Sequence, residues 1–224
     1  MKRKIVVLIS GSGTNLQALI DAVDTPALPN AQIALVLSNR KAAYGLTRAA
    51  QSVPPIPTAY IALKPYLQQN PGATRRDYDV EIAKIVLPEK PDIVVLAGWM
   101  HILGDGFLEL VDGRKRLEGD DELSVTKPIA VINLHPALPD QFDGAGAIER
   151  AYEAFQKGEI THSGAMVHRV VKDVDKGEPV IVRQIDFVNG ESIEGYETRL
   201  HLVEHEIIVQ ATSKILDEVK PLEG

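Results

Sequence analysis

The chain of 224 residues contains no cysteine. That absence excludes a disulfide framework, a thiol nucleophile and a thiolate zinc site, and it suits a reducing, cytoplasmic setting. A basic excess is also missing. The net charge is −7, which argues against a nucleic-acid partner, since that needs a basic face. Long hydrophobic runs are missing as well. The N-terminal "MKRKIVVLIS" begins like a secretory signal, but its apolar run of about six residues falls short of the 7–15 such a signal needs. No segment approaches the roughly 18 apolar residues of a membrane span. Internal repeats and low-complexity linkers are absent too. A soluble protein acting on small molecules is the expectation, as a single domain over 1–224.

What is present is alternation. "IVVLIS" (5–10), "QIALVLS" (32–38), "DIVVLAG" (92–98) and "IAVINL" (129–134) are short, apolar and β-branched, as expected of strands buried on both faces of a parallel sheet. Helical spacing marks 14–23, 43–51, 77–87 and 146–158. Strands at 163–172 and 179–188, joined by a brief charged loop, must be antiparallel. A long helix over about 193–219 follows. The sequence therefore predicts an α/β fold: a doubly wound, mostly parallel, Rossmann-like sheet with an antiparallel C-terminal extension. Its N-terminal half (about 1–111) would bind phosphate. The C-terminal half (about 129–224) would be catalytic. The charged stretch 112–128 reads as an exposed excursion.

Several stretches carry chemistry. "SGSGTNLQ" (10–17) follows the first strand and opens the first helix, where glycines and free N–H groups suit an anion. It lacks the third small residue of the dinucleotide fingerprint and the Gly-Lys-Ser/Thr of a P-loop. A monophosphate cradle at Gly13, Thr14 and Asn15 remains, against the plainer reading of a tight turn capped by Thr14. "HLVEH" (201–205) matches the H-x-x-E-H pattern of one zinc peptidase group, but few residues remain to supply a third ligand. Glu204 stands at the border of an apolar helix face, where an unpaired carboxylate is costly. "DVDKGEPV" (173–180) reads as a solvated turn or a functional loop. "WMHIL" (99–103) leaves a strand at the edge where open α/β sheets bind ligands. In "INLHP", Asn133 and His135 point the same way from a buried strand end. Together they resemble an oxyanion-stabilising pair with acid–base capacity.

"GSGTNLQ", "VVLAGWMHIL", "INLHP" and "DVDKGEPVI", in this order, resemble the phosphoribosylglycinamide formyltransferase family in its fungal-like form. The likeness spans nearly the whole chain. It implies formyl transfer from 10-formyltetrahydrofolate, a co-substrate, to glycinamide ribonucleotide in purine biosynthesis, with no metal. By the resemblance, Asn133, His135 and Asp175 would form the catalytic trio. Asp175 would raise the His135 pKa, so that a protonated imidazole stabilises the oxyanion. Gly13, Thr14, Asn15 and Glu204 would hold the ribonucleotide. Arg75, Met100, His101, Ile102, Leu103, Val171 and Asp175 would contact the folate, with 171–175 as a closing loop. His101 stands where many relatives have arginine, Ala137 where serine is common, and Ala165 and Met166 where small hydroxyl residues occur. A formyltetrahydrofolate deformylase, with water as nucleophile, is the near alternative. A zinc peptidase on "HLVEH" is the distant one. The oligomeric state is not legible.

Overall fold

The computed structural model of the chain describes residues 2–117 and 125–222. In chain order the elements are β1 (Arg3–Ile9), α1 (Thr14–Ala22), β2 (Ala31–Ser38), α2 (Tyr44–Gln51), β3 (Thr58–Tyr60), α3 (Leu63–Gln69) and α4 (Arg75–Val86). Then come β4 (Ile93–Leu96), α5 (Asp105–Val111), β5 (Ala130–His135), α6 (Ala147–Gln156), β6 (His162–Arg169), β7 (Pro179–Asp186) and α7 (Ile193–Val219). One seven-stranded sheet has the order β3-β2-β1-β4-β5-β6-β7. Strands β1 to β5 run parallel, and β6 and β7 run antiparallel to their neighbours. The α/β fold with its antiparallel extension is as expected.

Alternation along the strands divides the core into two layers. Ile5, Val7 and Ile9 of β1 pack with α1 and α7, whereas Val6 and Leu8 face α4 and α5. A strand covered on both faces has no solvent side, which is why its sequence is uniformly apolar. Helix α7 lays Tyr196, Leu200, Glu204, Ile208, Ala211 and Ile215 on the sheet. These residues stand three or four apart, one stripe of a helix. Glu204 is the acidic member of that stripe.

The sheet order reverses between β1 and β4, and such a switch point opens a crevice at the carboxyl ends of the strands. The turn after β1 and the segment after β4 enter it side by side. Ser10 Oγ pins them together. It donates to Asn39 Oδ1 at 2.6 Å and accepts from the Met100 N–H at 2.8 Å.

Three points differ from the sequence reading. Strand β3 and helix α3 carry no buried residues, so no apolar periodicity announced them. Strand β4 ends at Leu96, because Gly98 at φ 75° turns the chain out of the sheet. The 112–128 stretch is not wholly an exposed excursion: Leu117 is buried and Val125 packs on the same core layer. Its residues 118–124 lie outside the described residues. Among the described residues, no helix is long and apolar enough to cross a membrane.

Candidate active site

A cavity of about 610 Å³ occupies the crevice. At one end is the turn after β1. Gly13 caps α1 at φ 73° and ψ 31°, and no side chain caps the helix. Thr14 is therefore the first helical residue, not its cap. Gly11 to Asn15 line the cavity, and the N–H groups and dipole at a helix N-terminus favour an anion. Glycine is required at position 13 twice over, by the left-handed backbone and because a Cβ would stand 2.6 Å from Gly45 Cα. Arg48 holds the turn from outside by donating to Ser12 O at 2.9 Å.

Beyond the turn, α7 presents Glu204, only 5% exposed. Asn15 Nδ2 approaches its Oε2 at 3.5 Å, and His201 Nε2 stands 3.9 Å away. Burial pushes the Glu204 carboxyl up to about 7, against the weaker pull of Asn15. The Asn15 Oδ1 is buried without a partner. His201 is half exposed, and among the described residues no group of three His, Cys, Asp or Glu could hold a metal ion.

Along the cavity wall, β5 delivers Asn133 and His135 from one face, and the loop after β6 delivers Asp175. Asp175 Oδ2 lies 3.5 Å from His135 Nδ1 and accepts from the Gly144 N–H at 2.8 Å. Its Oδ1 accepts from Asn133 Nδ2 at 3.3 Å. Burial alone would raise the Asp175 pKa. The bond from His168, the Gly144 N–H and electrostatic attraction to His135 and His168 reverse this and bring it down to about 2. Asp175 adopts φ 56°, a left-handed conformation that aspartate tolerates better than most residues.

His135 overturns an expectation. Its pKa lies below the ordinary histidine value, because desolvation outweighs the attraction of Asp175, and His168 adds to the lowering. The resting imidazole is neutral at pH 7, and its Nε2 is buried without a partner. Negative charge beside a histidine raises its pKa only where burial is the smaller effect.

A further histidine belongs to this group. His168 Nε2 is 3.2 Å from Asn133 Nδ2 and 3.3 Å from Asp175 Oδ1. Its Nδ1 faces the Arg169 carbonyl at 2.9 Å, and a carbonyl only accepts, so Nδ1 carries a hydrogen. Neutral, His168 accepts from Asn133; protonated, it donates to Asp175. Sequence reasoning missed it, because only the register that pairs Asn133 with His168 across β5 and β6 brings it here.

The sequence profile of the formyl transferase family matches residues 3–115 and 121–212. The chain is 46% identical to the phosphoribosylglycinamide formyltransferase of Schizosaccharomyces pombe over 222 residues, covering 98% of this chain and 100% of that one. Against the Saccharomyces cerevisiae enzyme of that name the identity is 43%, covering 96% and 98%. The chain belongs to the formyl transferase family. The crystal structure of phosphoribosylglycinamide formyltransferase from Bacillus halodurans superposes with a TM-score of 0.78 at 26% identity, covering 98% of both chains.

The remaining wall of this formyl transferase cavity is apolar. Met100 and Ile102, 63% and 51% exposed, line it together with Val171 and Val174, which are also exposed. Exposed apolar side chains are thus gathered around one cavity, the kind of surface a ligand groove presents. Leu103 is buried in the core and also lines the cavity. The His101 side chain turns inward, its Nε2 at 2.7 Å from Asp79 Oδ1, while the Gly104 N–H bonds the other Asp79 oxygen at 3.0 Å. Arg75 stands at the rim outside the cavity lining, where its Nη2 donates to Ile102 O at 2.9 Å and approaches His101 Nδ1 at 3.5 Å. Ala137, Ala165 and Met166 are buried and take no part in the cavity wall.

Proposed function

We propose that this formyl transferase moves the formyl group of 10-formyltetrahydrofolate to the primary amine of glycinamide ribonucleotide, a step of purine biosynthesis. The observation that carries the reading is the bare, buried Nε2 of a neutral His135 between two unlike subsites. One is a helix-capped anion turn followed by an Asn15–Glu204 pair. The other is an apolar slot bounded by Met100, Ile102, Val171 and Val174. A phosphorylated amine suits the first and a pterin ring the second. The names and full-length similarity of the relatives support the same assignment.

The amine lone pair attacks the formyl carbon, and the carbonyl electron pair moves onto oxygen. Neutral His135 accepts the amine proton at Nε2, and ionised Asp175 stabilises the imidazolium so formed. The oxyanion takes hydrogen bonds from that imidazolium and from Asn133, each worth roughly 2.7–4 kcal/mol when well aimed. Asn133 releases His168 or Asp175 to do so. The proton passes to N10 as the C–N10 bond breaks, leaving formylated amine and tetrahydrofolate. Glu204 accepts donor groups of the ribonucleotide, and alignment of the two substrates supplies much of the remaining acceleration. Arg75 meets the anionic folate tail, and the 171–175 loop covers the pterin, with His101 part of the pocket lining and anchored by Asp79.

Deformylation would use the same trio with water. It has no use for the anion turn or the buried Asn15–Glu204 pair, which favour the transferase. The test follows tetrahydrofolate release with and without glycinamide ribonucleotide. Release should be slow alone and accelerate strongly with the ribonucleotide. Rapid release that the ribonucleotide leaves unchanged would make the protein a deformylase.

A further inference from the structure

Helix α6 begins with a charge in an unfavourable place. Arg150 lies in its first turns, near the positive end of the helix dipole, where a cation weakens the helix. Among the described residues it pairs with no carboxylate. All of its hydrogen bonds go to backbone carbonyls: Nη2 donates to Phe142 O at 2.6 Å, Asp143 O at 2.8 Å and Ala145 O at 3.0 Å, and Nε to Gly146 O at 3.3 Å. The guanidinium also sits 5.9 Å from the Phe142 ring centroid.

The segment it grips has an unusual backbone. Asp140, Phe142, Gly144 and Gly146 adopt φ values of 62°, 51°, 81° and 68°. Alternating handedness curls a chain so that N–H groups converge on one side, a concavity that binds anions. Here the anion is internal. The Gly144 N–H bonds Asp175 Oδ2 at 2.8 Å. The carbonyls turned the other way have no ladder to join, and Arg150 satisfies them. Two non-glycine residues in left-handed conformations carry a cost that something must offset. Lys176 adds a second tie, from the loop of Asp175 itself, to Asp140 at 3.0 Å and Asp143 at 2.7 Å.

We propose that Arg150 is a positioning residue for the reaction: by clamping the carbonyls of 142–146 it fixes the Gly144 N–H that holds the Asp175 carboxylate against His135. The inference rests on the proposed role of Asp175. The titratable groups facing that carboxylate are His135 from β5 and His168 from β6, while Lys176 and Asp143 pair with each other at the outer edge of the two loops. Arg150 bonds none of these side chains, and of these residues it reaches only the Asp143 backbone carbonyl. It acts through Gly144.

Arg150→Met and Arg150→Lys separate this role from bulk stability. Both keep an unbranched stem and good helix propensity, and only lysine keeps a nitrogen with three donors. Arg150→Met should lower kcat about 10- to 100-fold, the scale of a small misplacement of a reacting group. The Kd for the ribonucleotide should change less than about twofold, since the anion turn is untouched, and Arg150→Lys should recover most of kcat. The Gly144 amide, followed by NMR hydrogen exchange, should be protected in the parent, exchange faster in Arg150→Met and regain protection in Arg150→Lys. Equal kcat in parent and Arg150→Met, equal loss in both variants, or unchanged Gly144 exchange in a folded Arg150→Met would each overturn the proposal. Failure of the formyl-transfer reading would appear instead as a parent without transfer activity. The exchange measurement still decides the clamp in that case.

Discussion

Replacing Glu204 by glutamine should stabilise the protein while damaging its activity, with a gain that depends on pH. The carboxyl is raised from 4.5 to about 7 by burial. A raised carboxyl binds its proton more tightly folded than unfolded, so its stabilising contribution is complete below pH 4.5 and is lost as pH rises through 7. At about 1.4 kcal/mol per unit, the ionised group costs the folded state up to about 3 kcal/mol at pH 8. That is a sizeable part of an ordinary protein's net stability. Glutamine has the same shape and no charge, and it can still take the Asn15 hydrogen bond through its oxygen. The assay is urea unfolding of parent and Glu204→Gln at pH 5 and pH 8, in buffer free of phosphate so that no ligand of the anion turn contributes. The variant should gain about 2–3 kcal/mol relative to the parent between the two pH values. Formyl transfer should fall steeply in the same variant, and by more than any background hydrolysis of the folate. An identical stability difference at both pH values would refute the reasoning, because it would mean that Glu204 does not titrate where its burial requires.

Other consequences can be checked directly. His135→Ala or Asp175→Asn should cut turnover at least about a hundredfold while ribonucleotide binding, read by calorimetry, stays close to the parent's. Retention of a tenth of the activity by either would remove that residue from the trio. Thr14→Ala should weaken ribonucleotide binding by only about 0.5–1.5 kcal/mol, since in the proposed mode backbone N–H groups would carry most of the contact. Gly13→Ala should instead lower the melting temperature, because its Cβ meets Gly45 Cα at 2.6 Å; an unchanged melting temperature would show that the α1–α2 contact is looser than this. Metal analysis of the purified protein should find no stoichiometric zinc, and one zinc per chain would revive a metal role for His201 and His205.

The frame of the fold is written in local residue patterns. Uniformly apolar β-branched runs allow little but buried parallel strands, and their alternation with helical patterns dictates the winding of the sheet. The same patterns also marked Asn133 and His135, because two polar groups at the end of such a run need a reason, and they marked Glu204 by its place on an apolar stripe. The glycine turn was legible for the same kind of reason, since its residues make sense only where a backbone must bend.

Tertiary structure decided the charge states and the company these residues keep. The neutrality of His135 follows from how completely β5, β6 and the two loops desolvate it, a quantity no local pattern contains. His168 reaches Asn133 and Asp175 through an antiparallel register, and register depends on the turns and packing of a whole sheet. The inward turn of His101 depends on Asp79, 22 residues earlier in the chain. The Gly144 cradle and its Arg150 clamp lie in a stretch without periodicity, where the backbone conformation is set by contacts with a loop some thirty residues away. Local propensity speaks for elements. The electrostatics of a buried site belong to the assembled fold, because they depend on the water it excludes.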